Sequence, residues 1–225
     1  MKKQRLGVAM AVLAAGLLLA GCSSKVTQTS QYSGFLSDYS KLQETTSPSG
    51  VEVLRWVAPG FKPADYSTVV FERLELYPTP KPDERVDLKT LQELQAYTTE
   101  SAKQALSQNY VVVPDARDVR KGERALILQA AITGVTATNE GMKWYEVVPV
   151  AAVIGATQAA TGHRDQNTEL YIEADLIDAK TGAPVAKAVR KVFGENLKNA
   201  SQKITANDFK AAIKGMTSDM QTLLK

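Results

Sequence analysis

The chain has one cysteine and one histidine in 225 residues. These two scarcities exclude much of the chemistry an enzyme draws on. A zinc site takes three or four Cys, His or carboxylate ligands, and one of each residue does not furnish them. A Ser-His-Asp set needs a histidine held by a carboxylate and facing a nucleophile. Only His163 is present, in the polar stretch Thr161-Gly162-His163-Arg164-Asp165, and no G-x-S-x-G elbow accompanies it. It reads as a solvated loop residue. The glycines are scattered, with no G-x-G-x-x-G and no Walker pattern for a nucleotide. Asp175 to Asp178, followed by Lys180 and Gly182, has too few acids for a calcium loop and reads as a hairpin turn. No metal, no cofactor and no catalytic residue are expected.

Net charge is scarce as well. The chain carries 27 basic and 24 acidic residues, a formal +3. Three of the basic residues, Lys2, Lys3 and Arg5, stand in the first few positions. Without them the balance is zero, and nothing supports a nucleic-acid partner.

What the sequence does have is a basic start followed by a short apolar run, Leu6 to Ala20. Basic head, apolar middle and small residues at the break make a secretory signal peptide. The run is short for a membrane span, which takes roughly 20 residues. It ends in Leu19-Ala20-Gly21-Cys22, which resembles the bacterial lipobox. That resemblance implies cleavage before Cys22, a diacylglycerol on its thiol and an acylated amine. Two or more acyl chains hold a protein firmly to a bilayer. Ser23, rather than Asp, follows the cysteine. By the same resemblance it implies the outer membrane, facing the periplasm, in a Gram-negative host. With Cys22 lipidated no thiol is left for a disulfide, so an apolar core must hold the domain. The expected division is 1–21 signal peptide, 22–32 lipidated flexible tether and 33–225 one domain.

Along the chain, Phe35, Leu36, Tyr39 and Leu42 recur at helical spacing. Val51 to Val57 alternates weakly, like an edge strand, and Thr68 to Tyr77 reads as a central strand. Asp87 caps a predicted helix whose stripe is Leu88, Leu91, Leu94, Thr98, Ala102, Ala105 and Leu106. Tyr110 to Val113 is a short strand and Arg124 to Val135 a long one. In Glu169 to Asp178, Leu170, Ile172, Ala174 and Leu176 face in, while Glu169, Tyr171, Glu173 and Asp175 face out. A tight turn to Gly182 leads into Val185 to Phe193, and a helix follows over Asn207 to Leu224. Strands with one polar face fit a two-layer α+β sandwich, a mostly antiparallel sheet with helices packed on one face.

The opening Ser33-Gly34-Phe35-Leu36-Ser37-Asp38-Tyr39-Ser40, then Leu54-Arg55-Trp56, then Tyr66 before an apolar strand, resemble a family of bacterial lipoproteins catalogued as domain of unknown function 3313. The resemblance covers most of the chain beyond Cys22. It implies an envelope lipoprotein with one α+β domain and no particular substrate.

Two features bear on function. Glu169, Glu173 and Asp175 lie on one strand face, and i, i+2 neighbours such as Glu173 and Asp175 stand about 7 Å apart, a spacing glycoside cleavage permits, although a solvated sheet face has this composition by default. The second is Lys143 to Ala160, long and apolar where strand connections are usually short and polar. Val150 and Ile154 share a helical face, with Trp144 and Tyr145 at one end. These four are the candidate contact surface, for a partner, a second copy or the bilayer; a buried helix over the sheet is the alternative. Three functions stay open: a non-catalytic binding or accessory module contacting an envelope protein or peptidoglycan, a carboxylate-dependent cell-wall glycoside hydrolase, and a structural envelope lipoprotein without a specific ligand.

Overall fold

The computed structural model describes residues 25–139, 166–199 and 201–225. Their eight strands form one sheet in the order β1-β2-β8-β7-β6-β3-β5, with β4 also paired to β6. The strands are β1 (Gln43–Thr46), β2 (Glu52–Val57), β3 (Thr68–Val70), β4 (Glu75–Leu76), β5 (Val111–Val113), β6 (Ala125–Asn139), β7 (Gln166–Asp178) and β8 (Pro184–Phe193). Pairing is antiparallel from β1 through β6 and parallel where β3, β4 and β5 join. Helices α1 (Leu88–Leu106) and α2 (Lys210–Leu223) pack against one face. The fold is the α+β sandwich that the alternation of the strands implies.

Local chemistry sets the element ends. Asp87 accepts the Thr90 amide at 2.8 Å and caps α1. The Thr205–Asp208 capping box starts a 3-10 turn that runs into α2. Asp178 accepts the amides of Lys180 and Thr181, and Gly182 has φ +71°, which closes the β7–β8 turn. Leu91, Leu94, Ala102 and Leu106 of α1 and Phe209 and Ile213 at α2 meet Leu126, Ile132, Leu170 and Ile172 of the sheet in the main core. Each large side chain so buried contributes roughly 1.5–3 kcal/mol.

Three sequence expectations are corrected. Thr68 to Tyr77 is two strands, because Phe71 and Leu74 turn into the core between them. Side chains of α1 satisfy the break: the Leu74 amide donates to Thr99 Oγ1 at 3.1 Å, and Gln95 Nε2 donates to the Leu74 carbonyl at 2.7 Å. Phe35 to Leu42 forms no helix, since the Tyr39 hydroxyl accepts the amides of Gly34 and Leu36 and holds the segment bent. Residues 25–32 are packed rather than free: Val26, Thr27 and Gln31 are buried. Together, residues 25–42 make a strap across the sheet face opposite the helices, with its own small core of Val26, Leu36, Leu54 and Val189.

Candidate functional site

The outward side chains of β7 lie beneath that strap. Glu169, Glu173 and Asp175, expected to face solvent, are buried, and Glu173 is 0% exposed. Both oxygens of Glu173 are occupied. The Ser33 amide donates to Oε1 at 2.9 Å and the Tyr39 hydroxyl to Oε2 at 2.5 Å. Burial, then this bond to Glu173, pushes the Tyr39 hydroxyl up to about 12. Glu169 accepts from the Tyr171 hydroxyl at 2.5 Å and lies 3.6 Å from Lys191. Gln31 Nε2 donates to the same tyrosine hydroxyl at 3.1 Å. Tyr171 is also raised well above the ordinary tyrosine range, by burial first and the Glu169 charge second. Asp175 is 3.7 Å from Lys187, whose ammonium also donates to the Asp38 carbonyl at 3.1 Å and to Ser37 Oγ at 3.4 Å. Burial raises the Asp175 pKa even so, against the pull of Lys187. The carboxylate of Asp38 itself is exposed and accepts the Ser40 amide.

The chemical consequence is direct. A glycoside hydrolase needs one carboxyl free to protonate the leaving oxygen and a second free for water or the sugar. Here each acid of the layer already holds a strap group or a lysine through at least one oxygen, and Asp175 Oδ1, which has no partner among the described residues, is buried under the strap. The Ser33–Ser40 motif is what closes the layer: Ser33 and Tyr39 bind Glu173, Ser37 and Asp38 receive Lys187, and Gly34 takes φ +84° at the bend.

On the helix face the sheet is hollow. Register sets Ala130 of β6, Ala174 of β7 and Ala188 of β8 side by side, with Arg55 of β2 next in the row. Three small side chains in line leave space that Met216 and Met220 of α2 do not fill. A cavity of about 360 Å³ results, with almost wholly apolar walls. That volume is at the small end of ligand pockets, roughly 300–1,000 Å³.

Polar residues interrupt the wall, among them Arg190, Asp219, Arg55 and Thr98. Arg190 is 9% exposed; its Nη1 lies 2.7 Å from Asp219 Oδ2, while its Nε has no hydrogen-bond partner among the described residues. Asp219 also accepts the Ser49 amide and hydroxyl, each at 2.7 Å. Burial works against its ionisation, but these bonds and Arg190 outweigh it and lower its pKa. Arg55 is half-buried and forms no ion pair among the described residues. Thr98 of α1 is 0% exposed, and its hydroxyl is likewise unpartnered.

Sequence reading placed nothing here. One signal was available: Arg190 occupies an inward position of β8 between Ala188 and Val192, a charge on an apolar register. Cys22, Trp144, Tyr145, Val150, Ile154 and His163, singled out from sequence, lie outside the described residues. Among the described residues no three His, Cys, Asp or Glu side chains converge as a metal would require.

Comparison with known proteins places the chain in a family. The uncharacterized lipoprotein YdcL of Escherichia coli strain K12 is 45% identical over 210 residues, covering 93% of this chain and 92% of that one. Among solved structures, the PelC dodecamer from Paraburkholderia phytofirmans is 15% identical and covers 74% of this chain and 96% of its own, with a TM-score of 0.36. Lipoprotein GNA1162 from Neisseria meningitidis is 13% identical over 71% of this chain and 97% of its own, with a TM-score of 0.34. The family described as Protein of unknown function (DUF3313) matches residues 31–220, and the chain belongs to it.

Proposed function

We propose that this envelope lipoprotein is a non-catalytic binding or accessory module, held by a lipid on Cys22 at the periplasmic face of the outer membrane. The observation that carries the non-catalytic part is the buried acid layer. Its carboxylates are the acids that the hydrolase alternative relies on; the strap and two lysines hold them under the sheet face, with Asp175 Oδ1 alone in this layer lacking a partner among the described residues. The anchor rests on Leu19-Ala20-Gly21-Cys22 and on the relative's description as a lipoprotein. Ser23 supports the outer membrane.

The test uses the full chain in its own membranes. Radiolabelled palmitate enters the parent and not Cys22→Ala, and only the parent fractionates with the outer membrane. Purified protein leaves peptidoglycan uncleared in a zymogram. Clearing by the parent that disappears in Glu173→Gln, with the fold intact by circular dichroism, overturns the non-catalytic reading in favour of the hydrolase.

A further inference from the structure

We infer that the cavity between α2 and the sheet is a binding site for a single alkyl chain with an anionic end. This deepens the binding-module reading and rests on it.

The shape comes from the alanine row. Strands stand about 4.8 Å apart, so the row from Ala130 through Ala174 and Ala188 to Arg55 crosses three spacings, about 14 Å. It forms a narrow trough rather than a round pocket. The floor is methyl groups and the roof is Met216 and Met220, with thioether side chains that adapt to an irregular apolar guest. At about 360 Å³ the space suits one chain and not the two of an intact phospholipid.

The polar groups give the guest a direction. Arg55 and Arg190 are diagonal neighbours on β2 and β8, because Arg55 sits opposite Ala188, two residues before Arg190. Such diagonal pairs lie about 7–8 Å apart, within reach of long side chains. Asp219 neutralises Arg190 but leaves its Nε–H unpartnered inside the protein. Buried donors without partners are rare and costly; Arg190 lines the cavity, with this nitrogen enclosed behind its surface. Arg55 supplies a cation that forms no ion pair among the described residues. A carboxylate or phosphate at this end pairs with Arg55, and the alkyl chain then runs over Ala188, Ala174 and Ala130 toward α1. A neutral hydrocarbon fills the trough but leaves Arg55 without an ion pair.

A fatty acid and a monoacyl phospholipid share this chemistry. Two clickable diazirine probes separate them: a long-chain fatty acid labelled near its tail and the matching lysophosphatidylglycerol. Each is added to washed membranes carrying the full-length protein, without an acyl donor system, and photolysed. Adducts on peptides 165–180 or 215–225 with either probe support the site, and the probe that labels identifies the source. Arg55→Glu lowers that yield at least tenfold and leaves labelling by the corresponding fatty alcohol unchanged. Ala174→Leu, which plugs the trough, lowers labelling by acid and alcohol alike. Should Ala174→Leu not fold, Arg55→Glu carries the test alone.

Adducts spread over the surface and indifferent to Arg55→Glu overturn the inference. So does equal labelling by acid and alcohol in the parent. Failure here leaves the zymogram result untouched, and clearing of peptidoglycan by the parent leaves the labelling pattern untouched, so the two readings fail separately.

Discussion

Tyr39→Phe removes one oxygen and tests the strap. The hydroxyl donates to Glu173 at 2.5 Å and accepts the amides of Gly34 at 2.9 Å and Leu36 at 3.2 Å. A hydrogen bond to a charged group contributes roughly 1.5–3 kcal/mol, and one between neutral groups roughly 1 kcal/mol. The substitution leaves a fully buried carboxylate with the Ser33 amide as its remaining strap donor, and it orphans two backbone amides. Some of those amides regain water, because Gly34 is exposed. The expected loss is therefore about 2–4 kcal/mol. For a domain of this size 1 kcal/mol shifts Tm by roughly 2–4 °C, so the melting temperature falls clearly if strap and sheet unfold together. If the strap opens first, the loss appears as local opening instead, and trypsin cuts after the exposed Lys41 faster than in the parent. Thermal melting and timed trypsin digestion read both cases. Tyr32→Phe is the control: Tyr32 stacks on Tyr39 at 4.3 Å between ring centroids, and Phe keeps the ring, so a change within about 0.5 kcal/mol is expected. A Tyr39→Phe variant that melts and digests like the parent refutes the assignment of the strap to this hydroxyl.

Two further predictions concern backbone space and acid stability. Gly194→Ala destabilises the fold by about 1–3 kcal/mol, because a Cβ there stands 2.4 Å from Thr168 Oγ1 and 2.6 Å from the Asp208 carbonyl. Gly215→Ala, in open space on α2, stabilises by up to about 1 kcal/mol; urea melts of the pair give the two signs, and equal effects contradict the contact. Hydrogen bonding from Tyr66, then from the Thr181 amide and Arg124, holds Asp178 well below the usual carboxylate range. With the folded pKa below the unfolded one, the unfolded chain binds the proton more readily. This contribution is therefore present above about pH 4 and is lost as pH falls further. Asp178→Asn lowers Tm at pH 7, and its gap to the parent narrows between pH 4 and pH 2. A gap that stays constant across that range contradicts the assignment.

The long elements were legible because their signals are local. The period-2 pattern in Glu169 to Asp178 and the stripe from Leu91 to Leu106 depend on neighbours a few residues away, and β7 and α1 form where these patterns lie. The capping residues Asp87 and Asp178 act over three residues and were equally readable. The Leu19-Ala20-Gly21-Cys22 string that resembles a lipobox is likewise contiguous, as is the Ser33–Ser40 motif.

Tertiary structure decided what those patterns are for. Alternation states that Glu169, Tyr171, Glu173 and Asp175 share one face, and it is the same whether water or another part of the chain covers them. The strap arrives from about 140 positions earlier in sequence, so no local signal announces it. The helical spacing of Phe35 to Leu42 lost to the same contact, since a bond from Tyr39 to a buried acid outweighs a short helix that is marginal on its own. The trough is the most remote case. Ala130, Ala174 and Ala188 are ordinary residues in three separate strands, and they align only in the register observed. A slip of one residue turns each to the opposite face. The shifts between Ile132 and Gly134 and between Leu176 and Ile177 flank the aligned stretch. A row of side chains across a sheet is a property of pairing, which sequence periodicity along a single strand does not contain.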